Sequence, residues 1–363
     1  MPVTTRVFNF SSGPAVLPLP VLETVQRDLV ALPGVGMSIL EISHRSATFE
    51  RILSKAESDI RQLAGIPTDY KVLFLQGGAS LQFSMIPMNL LTEGRTADYV
   101  VTGSWGQKAL KEAKKVGNVR VAISTEADQF SRIPADAEWT VTPNAAYVHI
   151  TSNNTIEGTQ WKTLPKVGSV PLVSDASSDI FSAPLDISRF ALVYAGAQKN
   201  LGPAGATLVI IREDLLPRSS KTLHTMMNYA VHAENGSLYN TPPAFAIYVV
   251  GLVAEWLLAR GGLAAIAQVN QRKASKLYAE LDRTGFWRPT AEEASRSLMN
   301  VTFRVGSEEL EKKFVKEATA EGLDGLKGHR SVGGMRASIY NAFPEEGVDT
   351  LVSFMREFER RNG

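Results

Sequence analysis

Seven short apolar segments between residues 70 and 211 restrict most strongly how this chain can fold. Segments of this length, rich in valine, isoleucine and leucine, are typical of strands buried on both faces of a sheet. Helical patterns over 81–91 and 106–116 separate the first of them, which favours a mostly parallel sheet flanked by helices. The predicted strands are 71–75, 98–102, 119–123, 146–151, 170–174, 191–194 and 207–211.

The last two predicted strands are joined differently from the others. About a dozen residues without a helical pattern lie between 191–194 and 207–211. A parallel crossover normally contains a helix, so we expect this final pair to be antiparallel. The predicted fold class is α/β, with a mostly parallel seven-stranded sheet in a large domain.

Longer helices and a second α/β pattern follow the sheet. The stretch 244–259 predicts a buried helix, and 263–284 predicts a long amphipathic one. Strand, helix, strand and helix patterns then occupy 298–305, 308–321, 335–340 and 346–360. We expect an N-terminal arm over 1–15, a large domain over 16–260 and a smaller C-terminal domain over 261–363. Residues 8–20, rich in proline and turn-forming residues, predict an ordered but irregular segment.

Charge and cysteine content exclude several classes of protein. The net charge of +1 at pH 7 lacks the basic excess that nucleic-acid partners usually require. The chain has no cysteine, which excludes disulfides and thiolate metal sites, and we predict no metal. The N-terminus up to Arg6 has no apolar signal core, and the apolar stretch 244–259 is short for a membrane span and contains Glu255. We therefore expect a cytoplasmic protein that does not contact membranes.

A lysine among small uncharged residues is the strongest indication of chemistry. Lys199 stands in Ala-Gln-Lys-Asn at 197–200, just after a predicted strand. Desolvation lowers the pKa of such an amine and makes it a nucleophile. The commonest use of such an amine is a Schiff base with pyridoxal phosphate (PLP). A solvated loop lysine is the ordinary alternative, so the prediction requires partners for each part of the cofactor.

Two segments at strand ends match the phosphate and the ring nitrogen of PLP. Gln-Gly-Gly-Ala-Ser at 76–80 lies between a predicted strand and helix, where glycines and free N–H groups can cradle a phosphate. Asp175 ends another strand, where a carboxylate can keep the pyridine nitrogen protonated. The structural alternatives are a plain strand-to-helix turn for the glycine segment and a helix-capping or turn aspartate for Asp175.

Further loop residues suit the ring and an anionic substrate. Trp105 lies between small residues after a strand, where an indole can stack on a flat cofactor, and Thr155 can bond the ring hydroxyl or the phosphate. Guanidinium groups bind carboxylate or phosphate through two parallel hydrogen bonds. The candidates for this role are the pairs His44-Arg45 and His329-Arg330, together with Arg336 in an apolar strand.

With these residues in view, the chain resembles the phosphoserine aminotransferase family of class V, fold-type I PLP-dependent aminotransferases. The similarity covers nearly the whole chain. The motifs that carry it are Asn-Phe-Ser-Ser-Gly-Pro-Ala at 9–15, Glu-Ile-Ser-His-Arg-Ser at 41–46, Phe-Leu-Gln-Gly-Gly-Ala-Ser at 74–80, Gly-Ser-Trp at 103–105, Asp-Ala-Ser-Ser-Asp at 175–179, Tyr-Ala-Gly-Ala-Gln-Lys-Asn at 194–200, Leu-Tyr-Asn-Thr-Pro-Pro at 238–243 and Gly-Met-Arg-Ala-Ser at 334–338.

The resemblance implies a fold, a reaction and a homodimer. Such an enzyme moves the amino group of L-glutamate to 3-phosphohydroxypyruvate, giving O-phospho-L-serine and 2-oxoglutarate, a step of serine biosynthesis. In some bacteria the same activity forms 4-phosphohydroxy-L-threonine for vitamin B6 synthesis. The kinetics are ping-pong, with Lys199 forming the Schiff base. The active site is shared across the dimer interface.

The resemblance also implies a role for each matching residue. Lys199 and Asp175 are catalytic, and Arg336 binds the substrate α-carboxylate. The implied PLP-binding residues are Ala79, Ser80, Trp105, Thr155, Asp175, Gln198, Lys199, Asn240 and Thr241, of which Asn240 and Thr241 reach the phosphate of the neighbouring subunit's PLP. The implied binders of the distal substrate anion are His44, Arg45, His329 and Arg330. Many relatives have arginine where this chain has Ser80. Without that arginine, the resemblance leaves open how Arg45 and Arg330 share the binding of the distal anion.

Other functions fit the sequence less well. A serine–pyruvate or alanine–glyoxylate type transaminase needs no distal dianion site, so the two His-Arg pairs count against it. A cysteine desulfurase needs a cysteine, which the chain lacks. A nucleotide-binding oxidoreductase needs the full Gly-x-Gly-x-x-Gly fingerprint after its first strand, which is absent. A non-enzymatic binding protein has no use for Lys199 beside Asp175.

Overall fold

The computed structural model describes residues 6–363. The first residues of the predicted arm and most of the segment inspected for a signal core lie outside this range. The strands within it are β1 Phe8–Asn9, β2 Tyr70–Leu75, β3 Ala97–Val101, β4 Val119–Ser124, β5 Val148–Thr151, β6 Asn153–Asn154, β7 Thr159–Gln160, β8 Leu172–Asp175, β9 Leu192–Gly196, β10 Thr207–Arg212, β11 Arg288–Pro289, β12 Asn300–Arg304, β13 Leu323–Asp324 and β14 Met335–Ser338. The α-helices are α1 Leu19–Asp28, α2 Ala47–Ala64, α3 Gly78–Leu90, α4 Ser104–Ala113, α5 Tyr229–Glu234, α6 Ala244–Ala259, α7 Gly262–Leu281, α8 Glu308–Ala320 and α9 Glu345–Asn362.

A seven-stranded sheet in the order β2-β10-β9-β8-β5-β3-β4 forms the centre of the fold. Its pairings are parallel except those of β10, which runs antiparallel to both β2 and β9. The predicted mostly parallel sheet and its antiparallel last pair are therefore confirmed. Thr207 on β10 pairs with both Leu75 and Gly196. This register brings the loops that follow β2 and β9 to the same edge of the sheet.

Each face of the sheet has its own apolar core. Along β9, Val193 and Ala195 pack into one cluster with side chains of α2 and α6. The alternate residues Leu192 and Tyr194 pack into a second cluster with side chains of α3 and α4. Alternation along a strand thus explains why β9 is apolar at every position: both of its faces are covered by helices.

The C-terminal part has a smaller antiparallel sheet in the order β11-β12-β14, packed against α7, α8 and α9. The N-terminus joins this part, because β1 pairs in parallel with β13 and Phe10 is buried in the same apolar cluster. Such pairing between distant segments has no local sequence signal. The domain boundaries at 15/16 and 260/261 stay a prediction.

Two N-terminal helices differ from the sequence analysis. Residues 8–20 are predicted as irregular, yet they begin with β1, and α1 already starts at Leu19 with Pro20 in its first turn, where proline is tolerated. No prediction covers α2, although its signals are clear. Ser46 caps its first turn by accepting from the N–H of Phe49, and Gly65 ends it at φ 59°.

The most apolar helix, α6, is covered by other parts of the protein. Eight of its residues, including Ile247, Val250 and Leu257, are buried. Within residues 6–363, no single helix has both the length and the apolar character that a membrane crossing requires. Helices α6 and α7 meet these criteria only when taken together across their 85° bend.

Candidate active site

The loops at the carboxyl ends of the sheet strands bring together the residues predicted to surround Lys199. Asp175 ends β8 opposite Tyr194 of β9, and Lys199 follows five residues after Tyr194. The Lys199 Nζ donates to Thr155 Oγ1 at 2.7 Å. It also lies 5.6 Å from the centre of the Trp105 ring. Open α/β sheets bind their ligands at this edge.

The amine of Lys199 is poorly solvated. Its side chain is half-buried. Loss of solvent lowers the pKa of Lys199, and nearby Arg336 acts in the same direction, whereas Asp175, Asp179 and Glu157 oppose it. A lowered pKa increases the fraction of free amine near neutral pH, which a nucleophile or general base requires.

The carboxylate of Asp175 is buried and held in one orientation. Its Oδ1 accepts from the N–H of Ser177 at 2.9 Å and from the Ser177 hydroxyl at 2.6 Å. The same hydroxyl oxygen accepts from the N–H of Gly196 at 3.1 Å, which ties this turn to β9. Asp175 therefore holds a local turn rather than the start of a helix, and the arrangement leaves Oδ2 without a bond to the described residues.

The start of α3 has the features of an anion cradle. Gly77 and Gly78 have φ of 83° and 63°, which glycine adopts without strain. Among residues 6–363 no side chain caps the helix, whose first residues are Gly78, Ala79 and Ser80. Gln198 lies near Lys199, and its carbonyl accepts from the N–H of Ala15 at 2.9 Å. A helix N-terminus without a cap can offer its first N–H groups to a phosphate.

Arg336 is the most deeply buried of the predicted substrate-binding cations, at 7% exposure. It donates to Ser12 Oγ at 2.8 Å and to the carbonyl of Thr155 at 3.4 Å. Desolvation lowers the pKa of its guanidinium. Its Nε and the indole Nε1 of Trp105 are buried and have no hydrogen-bond partner among the described residues. Two unpaired buried donors are costly unless a ligand accepts from them.

Of the two His-Arg pairs, the structure places only His329 on a cavity with Arg336. His329 and Arg336 both line a cavity of about 710 Å³, together with Ser104 and Glu157. Burial and the nearby charges of Arg336, Lys108 and Arg330 lower the pKa of His329. Arg330 is exposed, and His44 and Arg45 lie in the loop before α2, where Arg45 Nε donates to His44 Nε2 at 3.4 Å. Within one chain, none of these three residues lines that cavity.

Asn240 and Thr241 lie beside the segment that precedes α3. The amide of Gln76 donates to the carbonyl of Thr241 at 3.0 Å, and Asn240 lines a cavity of about 300 Å³ with Gln76 and Gly77. Their predicted reach to the phosphate of a neighbouring subunit stays a prediction.

Two carboxyl groups near the site, those of half-buried Asp179 and buried Glu157, were missed by the sequence analysis. Asp179 accepts from Ser152 and Gln160, and burial raises its pKa to about 6. Glu157 accepts from Ser104 at the start of α4, and burial raises its pKa as well. The sequence carried one usable signal, because each carboxyl stands within four residues of a predicted site residue, Asp175 or Thr155.

Comparisons with known proteins identify the family of this chain. The profile of the aminotransferase class-V family matches residues 7–351. A phosphoserine aminotransferase from Desulfosudis oleivorans is 56% identical over 99% of this chain and all of its own length. The solved phosphoserine aminotransferase of Bacillus circulans subsp. alkalophilus is 55% identical, with a TM-score of 0.97 over 99% of this chain and 100% of its own. The PLP-bound enzyme of Trichomonas vaginalis is 38% identical, with a TM-score of 0.93 over 97% of this chain and 100% of its own. The chain therefore belongs to the class-V aminotransferases and, within them, to the phosphoserine aminotransferase family.

Proposed function

We propose that this chain is a PLP-dependent transaminase that transfers the amino group of L-glutamate to 3-phosphohydroxypyruvate. The products are 2-oxoglutarate and O-phospho-L-serine, which places the enzyme in serine biosynthesis. The observation that carries the proposal is the desolvated amine of Lys199, bonded to Thr155 and lying beside Trp105 at the edge where Asp175 ends β8. The names of the similar enzymes support the choice of reaction.

The residues at this edge fit PLP. The uncapped start of α3 suits its phosphate, the unpaired buried indole N–H of Trp105 suits an acceptor atom of a ligand, and the buried carboxylate of Asp175 suits the pyridine nitrogen. When bound, PLP takes up the electron pair left on the substrate when a proton leaves Cα. In this proposal Ala79, Ser80 and Gln198 hold the phosphate, and Thr155 bonds the ring.

The protein's own groups then control two protons. The Lys199 amine, free to act because its pKa is lowered, would remove the proton from Cα of the amino donor, and in the second half-reaction it would deliver a proton to Cα of the new amino acid. The Asp175 carboxylate holds a proton on the pyridine nitrogen, and Ser177 keeps that carboxylate in place. Arg336 binds the α-carboxylate of each substrate, for which its unpaired Nε is available.

The distal anion of the substrate requires cations from two chains in this proposal. His329 lies on the same cavity as Arg336, and Arg330 is its neighbour in sequence. His44 and Arg45 instead lie on an exposed loop of their own chain, close in sequence to the exposed apolar residues Met37 and Leu40. Exposed apolar side chains favour burial in an interface. We therefore place His44 and Arg45, with Asn240 and Thr241, at the active site of a second copy in a homodimer.

An assay of substrate preference tests the reaction. Glutamate is supplied with 3-phosphohydroxypyruvate, pyruvate or glyoxylate, and formation of 2-oxoglutarate is followed. We expect kcat/KM for the phosphorylated acceptor to exceed the others by at least about 10²-fold, since only this acceptor offers a distal dianion. The purified protein should be yellow and should bleach with borohydride. Equal kcat/KM for pyruvate and 3-phosphohydroxypyruvate would overturn the proposed substrate.

Mixed dimers test the shared site. Lys199→Ala and Arg45→Ala subunits carrying different tags are co-expressed, and the mixed dimer is purified through both tags. If Arg45 acts in the neighbouring site, one site of each mixed dimer has both residues intact, and activity returns to about half of wild type. Mixed dimers of Lys199→Ala and Asp175→Asn serve as the control and stay inactive. Inactive mixed dimers in the first pairing would contradict the shared site.

A cytoplasmic location belongs to the same proposal, and cell fractionation tests it.

A further inference from the structure

A buried carboxyl group connects the turn that holds Lys199 to the helix that carries Trp105. Glu157 lies in the turn between β6 and β7, two residues after Thr155, and is 6% exposed. Its Oε1 accepts from the N–H of Ser104 at 2.8 Å and from the Ser104 hydroxyl at 2.6 Å. Ser104 is the first residue of α4, and Trp105 is the second. The carboxyl therefore binds the end of the helix from which the indole projects.

The backbone of the same turn is fixed from the other side. The carbonyl of Glu157 accepts from the hydroxyl of Thr302 on β12 at 2.9 Å. The neighbouring Thr155 accepts from the Lys199 amine through its hydroxyl and from Arg336 through its carbonyl. Because the turn is anchored at three points, its carboxyl group can hold the start of α4 at a set distance from the amine of Lys199.

The carboxyl group of Glu157 is closely packed against the residue that precedes α4, Gly103. A Cβ added to Gly103 would lie 2.7 Å from Glu157 Oε2 and 2.5 Å from Asn154 Oδ1, closer than such atoms approach. The α4 end has no side-chain cap of its own, so the carboxyl supplies the acceptor that its first N–H needs. The Oε2 atom is buried and has no hydrogen-bond partner among the described residues. Burying an unpaired carboxyl oxygen costs free energy, and proteins keep such groups mainly where the group also has a functional role.

We propose that Glu157 is a positioning residue that fixes the indole of Trp105 against PLP by holding the start of α4. The role rests on the proposed function, because it requires PLP to stack on Trp105. A purely structural role would be the capping of α4 alone, which would change the stability of the protein and leave its affinity for PLP unchanged.

Binding of PLP to apoenzyme separates the two roles. We compare wild type, Glu157→Ala, Trp105→Phe and the double variant, and we measure the dissociation constant of PLP and the visible circular dichroism of the bound cofactor. We expect Glu157→Ala to weaken PLP binding about tenfold, as for the loss of a hydrogen bond to a charged group. Because the effect passes through the indole, Glu157→Ala should add little in the Trp105→Phe background. Glu157→Gln keeps an acceptor for Ser104 and should restore binding to within about threefold of wild type.

Further variants keep the test decisive. Thr302→Val removes one of the three anchors of the turn and leaves the carboxyl and its bonds to Ser104 intact, so it should weaken PLP binding clearly less than Glu157→Ala does. If Glu157→Ala does not fold, Ser104→Ala, which removes one of the two bonds to Oε1, should show a smaller loss that disappears in the Trp105→Phe background. Equal losses in both backgrounds, or a lower melting temperature with unchanged PLP affinity, would overturn the role of Glu157. Wild-type apoenzyme that bound no PLP would instead overturn the proposed function.

Discussion

Two lysines in this protein are removed from water in different ways. Lys273 on α7 is completely buried, and its Nζ donates to the carbonyls of Ile339, Tyr340 and Phe343 at 3.0, 2.6 and 3.1 Å. Lys199 is half-buried, and its Nζ makes one hydrogen bond with the described residues, to Thr155. Burial lowers the pKa of Lys199, and it lowers that of Lys273 to about 7.

The difference lies in how many hydrogen bonds each amine has left. An ammonium group has three donors, and at Lys273 three backbone carbonyls use all of them. At Lys199 the described residues use one donor position, through Thr155, and leave two without a partner, and the centre of the Trp105 ring lies 5.6 Å from the Nζ. A lowered pKa therefore does not by itself mark a catalytic lysine. In the proposed mechanism the unused donor positions of Lys199 make the difference, and the following experiments test this distinction.

Lys199→Ala should have the largest effect, because it removes the proposed nucleophile and base. We expect kcat to fall by at least about 10⁴-fold in the glutamate assay. The free energy of unfolding of the apoenzyme should stay within about 1 kcal/mol of wild type, since the side chain makes one hydrogen bond. Substantial remaining transamination would remove Lys199 from its role.

Asp175→Asn tests whether the residue is catalytic or only a turn residue. The amide keeps an oxygen for the two Ser177 donors and loses the charge, so we expect kcat to fall by about 10²- to 10³-fold with little change in stability. Asp186 offers a matched control, because its Oδ1 accepts from the N–H and hydroxyl of Ser188 in the same way but on the surface. Asp186→Asn should leave kcat unchanged. Equal kcat values in the two variants would favour the structural alternative.

Much of this site follows from the sequence because its residues stand at strand ends. The pattern places β8 and β9 side by side, so Asp175 and Lys199 are expected at one edge, and the motif matches name their partners. Lys273 gives no such signal, because its acceptors are backbone carbonyls more than sixty residues away and any residue type could supply them. The pairing of β1 with β13 is missed for the same reason. Contacts of the backbone between distant segments leave little trace in local composition.

The two His-Arg pairs show a second limit. They look equivalent in sequence, yet only His329 lies on the cavity with Arg336, whereas half-buried His44 and exposed Arg45 lie in the loop before α2. Sequence similarity assigns both pairs to one substrate anion. It does not show which chain supplies each pair, since that depends on the contact between two copies.

Lys273→Met should show the opposite pattern to Lys199→Ala. Methionine fills a similar volume but leaves three buried carbonyls without their donor, so we expect the free energy of unfolding to fall by about 3 kcal/mol. Activity per folded molecule should stay near wild type. Lys276→Met on the same helix removes an exposed ion pair with Asp349 and should cost less than about 0.5 kcal/mol. A loss of kcat with unchanged stability in Lys273→Met would reverse the comparison.

Competitive acetylation of the apoenzyme compares both lysines in one sample and is expected to show the smallest effect. Only the unprotonated amine reacts. For an ordinary solvated lysine, the unprotonated fraction falls about tenfold for each pH unit below about 10.4. Because the pKa of Lys199 is lowered, its free amine declines only at lower pH, so its labelling rate relative to exposed Lys114 should be higher at pH 7.5 than at pH 10. Lys273 should label slowest of all until the protein is unfolded, despite its pKa of about 7, because its Nζ is buried and fully bonded. Added PLP should protect Lys199 and leave Lys114 unchanged.

A ratio of labelling rates that did not change with pH would contradict the lowered pKa of Lys199. If native Lys273 were labelled as fast as Lys199, the number of hydrogen bonds made by each amine would not explain the difference between the two sites.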